Sequence, residues 1–205
     1  SSTGVFTYSP NADFNGSDSA TVNVSDSGLS VGLLINLTVT PVNDAPVITQ
    51  GNGPLSYSLN EDSNVTFDLN ATDLEGDVLT WSIASDPSNG TATVTAATGT
   101  VIYVPTADFE GNDSLSLTVS DATLSDSIVV NLKVNGVNDA PTSISNLSAL
   151  SFSENLALAS SIGTFSATDP DMGDLITFSL FDNDQSTDSH LFSIDSNGTL
   201  RTAVL

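Results

Sequence analysis

The sequence predicts an all-β protein of tandem Greek-key β-sandwiches, one complete unit flanked by two partial ones. Three observations predict it. Apolar and polar residues alternate along the chain, and helical spacing is absent. Turn-forming residues punctuate the alternating runs at short intervals. A long segment also recurs: 4–46 aligns with 99–141 without a gap, and roughly half of the positions are identical, the mark of a repeated structural unit.

The repeat sets the domain plan. Each copy ends in the same five residues, Val42-Asn43-Asp44-Ala45-Pro46 and Val137-Asn138-Asp139-Ala140-Pro141. Proline removes a backbone donor and keeps the preceding residue extended, so this motif has the chemistry of a joint. The period is about 95 residues, enough for a sandwich core. The expected units are 1–43 (the back part of one domain), 44–138 (a complete domain) and 139–205 (the front part of a third). Both ends then fall within a unit, and the two partial units hold complementary strands. Such pieces present open edges and apolar faces, so end-to-end self-association between molecules is an expectation.

In the complete unit, Phe67, Leu69 and Ala71 alternate with Thr66, Asp68 and Asn70, and Leu115, Leu117 and Val119 with serine and threonine. Period two with one polar face describes antiparallel strands covering a core on one side. Seven strands are expected, A to G in order, near 55–59, 65–71, 78–84, 91–96, 100–104, 114–120 and 127–134. Ser88-Asn89-Gly90 supplies a tight turn between C and D. Seven short strands at this spacing suit an immunoglobulin-type sandwich. Gly4–Tyr8 matches Gly99–Tyr103, so the first unit should hold strands E, F and G. The turn at Asn197-Gly198 leads into another E strand, so the third should hold A to E. Trp81 is in phase with core residues and is expected inside.

Charge narrows the function. The 205 residues carry 25 acids against Lys133 and Arg201, a net charge of -23. Nucleic acid and anionic membrane surfaces are excluded as partners, since both require basic side chains. No apolar run is long enough to cross a membrane. There is no cysteine, so no disulfide or thiolate site. The acids cluster at equivalent places in the repeats, which points to neutralisation by divalent cations. Asp182, Asp184, Asp188 and Asp195 are read instead as turn formers. His190, the lone histidine, sits beside Leu191-Phe192 with no nucleophile elbow anywhere in the chain, and is read as a surface residue. Asp169-Pro170-Asp171-Met172-Gly173-Asp174 lacks the flanking helices and terminal Glu of an EF-hand.

Several segments together resemble a known family. Asn138-Asp139-Ala140-Pro141 is similar to the interdomain linker of cadherin repeats. Ser153-Glu154-Asn155, Ala167-Thr168-Asp169-Pro170-Asp171, Ile176–Leu180, Phe192–Asp195 and Gly198-Thr199-Leu200 follow the cadherin order. Ala12-Asp13-Phe14-Asn15-Gly16-Ser17-Asp18-Ser19 and Ala107-Asp108-Phe109-Glu110-Gly111-Asn112-Asp113-Ser114 resemble the cadherin-like repeats of large bacterial surface proteins.

The resemblance implies calcium between successive units. At the first joint it implies Asn43 and Asp44 from the linker, Glu61, Asp73 and Glu75 from the following unit, and Asp13 and Asp18 from the preceding one. At the second it implies Asn138, Asp139, Glu154, Asp169 and Asp171, with Asp108, Glu110 and Asp113 from the central unit. Calcium takes six to eight oxygens from flexible loops, more than one loop supplies, so a joint suits it. The family's linker acid two residues before the Asn is replaced by Pro41 and Gly136, so fewer ions per joint are expected than in animal cadherins.

The expected protein is therefore a calcium-binding segment of an extracellular bacterial adhesin, its joints stiffened by the ion to present a distant adhesive end to another surface protein. Two alternatives stand beside it. One is a calcium-dependent carbohydrate-binding module. The other is a calcium-dependent hydrolase of activated esters or phosphoesters at a joint with open metal positions.

Overall fold

The alternating runs become strands, and their pairing decides which acids meet. The computed structural model describes residues 4–146, 152–180 and 188–203. Strands β1 (Gly16–Ser25) and β2 (Ser30–Val39) form a regular hairpin, with Gly16 opposite Val39 and Ser25 opposite Ser30. Asp26 shapes its turn by accepting the backbone N–H groups of Gly28 and Leu29 at 3.0 and 2.9 Å. Residues 4–8, expected as an E strand, form no strand. In the central unit the matching segment lies between two neighbours, and residues 4–8 have no such neighbours.

Strand β3 (Val47–Ile48) starts the central unit, followed by β4 (Leu55–Asn60), β5 (Val65–Asp68) and β6 (Ala71–Thr72). Then come β7 (Thr80–Ser85), β8 (Gly90–Val94), β9 (Thr100–Pro105), β10 (Gly111–Ser120) and β11 (Ser125–Asn135). One sheet has the order β4-β11-β10-β7 and the facing sheet β5-β9-β8, while β3 pairs with β6. The seven expected strands are all present. The sequence reading missed β3 and the division of strand B into β5 and β6. The short A segment, β3, pairs with the end of B, and the chain then crosses to pair β4 in parallel with β11.

Between the two sheets lie Leu69, Val101, Tyr103, Leu117, Val119 and Val130, all with no measurable exposure. Tyr57 and Phe67 stack with centroids 4.2 Å apart. Trp81 is 5% exposed, as its phase predicts. It closes over Gly99, whose φ is +71°. A Cβ at Gly99 would lie 2.4 Å from the Leu69 carbonyl oxygen and 2.9 Å from Trp81 Nε1, so only glycine fits both the backbone and the space.

The last part contains β12 (Ser143–Asn146), β13 (Ser161–Thr168), a short 3-10 helix (Asp188–Leu191), β14 (Phe192–Ile194) and β15 (Thr199–Thr202). Its sheet order is β12-β13-β15-β14. His190 is exposed on the short helix, and Asp195 pairs with Arg201 at 2.8 Å instead of only shaping a turn. Asp182 and Asp184 lie outside the described residues.

Candidate metal centre

The second joint is assembled by the parallel pairing of β4 with β11. That pairing carries Glu61, the residue after β4, to the point where the chain leaves the central sandwich. Glu61 donates its N–H to the Asn135 carbonyl at 3.1 Å and accepts the Val137 N–H on Oε1 at 2.7 Å. It is 5% exposed. Across the linker, the Asp139 N–H is donated to Asp171 Oδ2 at 2.6 Å, and the Asp171 N–H to Asp169 Oδ1 at 3.0 Å. Carboxylate oxygens of Glu61, Asp139 and Asp171 all lie within 4.8 Å of one another. That is about twice a calcium–oxygen bond of 2.3–2.6 Å, so one ion can reach all three. Asp169, Asp171 and Asp174 form a second group meeting the same limit. Asp108 and Glu110 line the same cleft as Glu61 and Asp171.

The electrostatics follow from this crowding. Burial pushes the Asp139 carboxyl above the usual carboxylate range, and the charges of Asp62, Asp171, Asp108 and Glu61 push it the same way. Its Oδ2 is buried with no hydrogen-bond partner. A buried carboxylate oxygen without a donor is costly unless something positive meets it.

The first joint repeats the contacts between the linker and the unit that follows it. The Asp44 N–H is donated to Glu75 Oε2 at 3.2 Å, and the Glu75 N–H to Asp73 Oδ1 at 3.1 Å. Asp77 adds its own N–H to Asp73 Oδ1 at 3.0 Å, and Asp73 Oδ2 is buried without a partner. Asp13 faces Asp44 and Asp73 across one cleft. Asp13 and its counterpart Asp108 hold the same left-handed turn, at φ +62° and +58°, each just before a phenylalanine.

Several expectations change. Glu61, expected at the first joint, stands at the second, because its strand runs alongside the exit strand β11. Glu154 is exposed in a turn and outside the Glu61–Asp139–Asp171 group. Asp113, expected as a ligand, is occupied by the protein itself. It accepts the N–H groups of Ser88, Asn89 and Ser114 at 2.9, 2.9 and 2.8 Å and the Tyr103 hydroxyl at 3.0 Å. Four donors fill a carboxylate's lone-pair sites. Asp18 is the same feature in the first unit, accepting the Tyr8 hydroxyl at 2.9 Å and the Ser19 N–H at 2.7 Å.

Both linker asparagines turn their amide nitrogens to the carbonyl of the next residue, Asn43 to Asp44 and Asn138 to Asp139, each at 3.1 Å. Asn43 also donates to Asp121 Oδ2 at 2.8 Å, which ties the linker to the turn between β10 and β11. Sequence reasoning missed Asp62, Asp77, Asp121 and Asp174. A signal existed for two of them: Asp73-Leu74-Glu75-Gly76-Asp77 and Asp169–Asp174 share an acid-x-acid pattern ending in Gly-Asp.

Every donor atom of these clusters is an oxygen, which suits a hard cation such as calcium and disfavours soft metals. The two buried oxygens without partners, one at each joint, fit such an ion as well.

The family described as bacterial Ig domain matches residues 1–38 and 43–133. The mouse protein cadherin-related family member 1 is 33% identical over 166 residues, which is 75% of this chain and 18% of that protein. The chain thus spans under a fifth of that relative's length. Among solved structures, human protocadherin-24 EC1-2 aligns at a TM-score of 0.57 and 28% identity, covering 79% of this chain and 80% of that one. Mouse protocadherin-24 EC1-3 aligns at a TM-score of 0.57 over 95% of this chain and 68% of that one. Its 19% identity makes it a likeness of fold.

Proposed function

The chain belongs to the bacterial Ig-domain family, and from that premise we propose that it is a calcium-stiffened segment of an extracellular bacterial adhesin. Its cadherin-like sandwiches act as spacer units, and its joints set the angle between them. The observation that carries this reading is the pair of buried, unpartnered carboxylate oxygens, Asp73 Oδ2 at one joint and Asp139 Oδ2 at the other. Calcium would supply the positive charge that these oxygens lack.

The chain's own residues do the remaining work. Glu61 grips the outgoing linker through the Val137 N–H. Asp171 and Glu75 grip the linker from the following side, through the Asp139 and Asp44 N–H groups. Each joint therefore has carboxylates from more than one unit facing one space. Uncompensated, they repel, and the linker is free to open. Neutralised, they hold both units to the linker at once, and a string of sandwiches becomes a rod.

Small-angle scattering and a thermal melt, each with calcium and with excess chelator, test this. Calcium should raise the melting temperature and narrow the distribution of end-to-end distances. Identical curves under both conditions would leave an acidic spacer without metal-dependent mechanics.

A further inference from the structure

Besides Glu61, which only the second joint holds among the described residues, the two joints differ in charge at one pair of equivalent positions. The turn that begins at Asp13 carries Asn15, and the matching turn at Asp108 carries Glu110. Both side chains line their joint's cleft. Asn15 is placed with Asp13, Asp44 and Glu75, and Glu110 with Glu61, Asp108 and Asp171. The same place thus offers a neutral amide at one joint and a carboxylate at the other.

A second difference accompanies the first. The linker residue two before the Asn is Pro41 at the first joint and Gly136 at the second. Glu110 fills the space left by the missing side chain, for a Cβ at Gly136 would lie 2.9 Å from Glu110 Oε2. At the first joint Pro41 itself lines the cleft beside Asn15. The glycine therefore admits the Glu110 carboxylate against the linker backbone, and the proline stands where no such carboxylate arrives.

We propose that the two joints load calcium in order, the second at lower concentration than the first, and that the Asn15/Glu110 difference sets part of the gap. This rests on the calcium reading above and adds a graded response to it. Calcium affinity rises with the number of charged ligands, and replacing one carboxylate by an amide shifts it by about tenfold. The chain would then stiffen in two steps as calcium rises, with the joint between the central and last units locking first.

The backbone amides of Asp44 and Asp139 report on the two joints separately, since each donates to a joint carboxylate. A calcium titration of the whole chain followed by amide resonances should move Asp139 first and Asp44 later. Glu110→Asn should delay the Asp139 response by about tenfold in calcium and leave Asp44 in place. Asn15→Glu should bring the Asp44 response to lower calcium. Both side chains are exposed, so the fold of each variant is verified by its unfolding curve in chelator. Coincident midpoints, a reversed order, or midpoints indifferent to both substitutions would overturn the ordering while the calcium reading stands. No response at either amide would overturn both.

Discussion

Replacing Asp113 with alanine separates a structural carboxylate from a metal ligand. Asp113 is 8% exposed and holds the Ser88 and Asn89 N–H groups of the turn before β8, together with the Tyr103 hydroxyl. Removing it takes the acceptor from four donors, the Ser114 N–H among them, in a sandwich whose Tyr103 has no measurable exposure. Each buried donor left without a partner costs about 1–3 kcal/mol, and water entering the emptied space relieves part of that. A net loss of about 3–5 kcal/mol is expected, a large share of the roughly 5–15 kcal/mol that holds a domain folded. Tyr103→Phe removes one of the four donors and should cost about 1–2 kcal/mol, a fall of around 10 °C in melting temperature. Trp81 is the sole tryptophan and is buried in the same sandwich, so its fluorescence during denaturant unfolding reads the loss directly. The loss should be the same in calcium and in chelator. A loss that appears only in calcium, or one below about 1 kcal/mol, would refute the structural assignment and return Asp113 to the metal set. Acid provides a second check. Burial would raise the Asp113 carboxyl, but the three N–H bonds and Tyr103 together hold it below its ordinary value. A carboxyl depressed in the folded state stabilises above its unfolded pKa, about 3.9. Its contribution is present at neutral pH and disappears as pH falls below about 4 through the folded value. Asp113→Ala should show a correspondingly shallower acid loss.

Glu61→Gln should weaken calcium binding at the second joint by about tenfold and leave the first joint unchanged; an effect confined to the Asp44 amide would overturn its placement beside Val137. Asp139→Asn removes a carboxylate crowded by Asp62, Asp171, Asp108 and Glu61. It should therefore raise the melting temperature in chelator and lower it in calcium, and a change of the same sign in both would contradict the repulsion described here. Gly99→Ala should destabilise the central sandwich by about 2–4 kcal/mol, from the left-handed backbone plus overlap with the Leu69 carbonyl and the Trp81 ring; a near-neutral unfolding curve would show that this contact relaxes.

The sequence by itself determined the fold class, the seven strands of the central unit and the buried place of Trp81. All of these rest on local information. Alternation reports which face of a strand is covered, turn residues report where the chain reverses, and the repeat reports the unit length. The nearness of Asp13, Asp108 and the acid pairs 73/75 and 169/171 to the linkers was also legible, because each lies in a short motif beside one; that they hold an ion is the proposal made above. The tertiary structure decided the rest. Glu61 is far from Asp139 in sequence, and only the parallel pairing of β4 with β11 brings them together. Asp113 and Asp108 look alike in sequence and lie in the same motif. They part company because Asp113 points into the sandwich toward donors from the Ser88-Asn89 turn, while Asp108 remains in the joint cleft. The E strand shows the same dependence: β9 is a strand because β5 and β8 flank it, and Gly4–Tyr8, with much the same pattern as Gly99–Tyr103, is not. Periodicity tells which residues seek cover, but a strand or a ligand set exists only where other parts of the chain supply its partners.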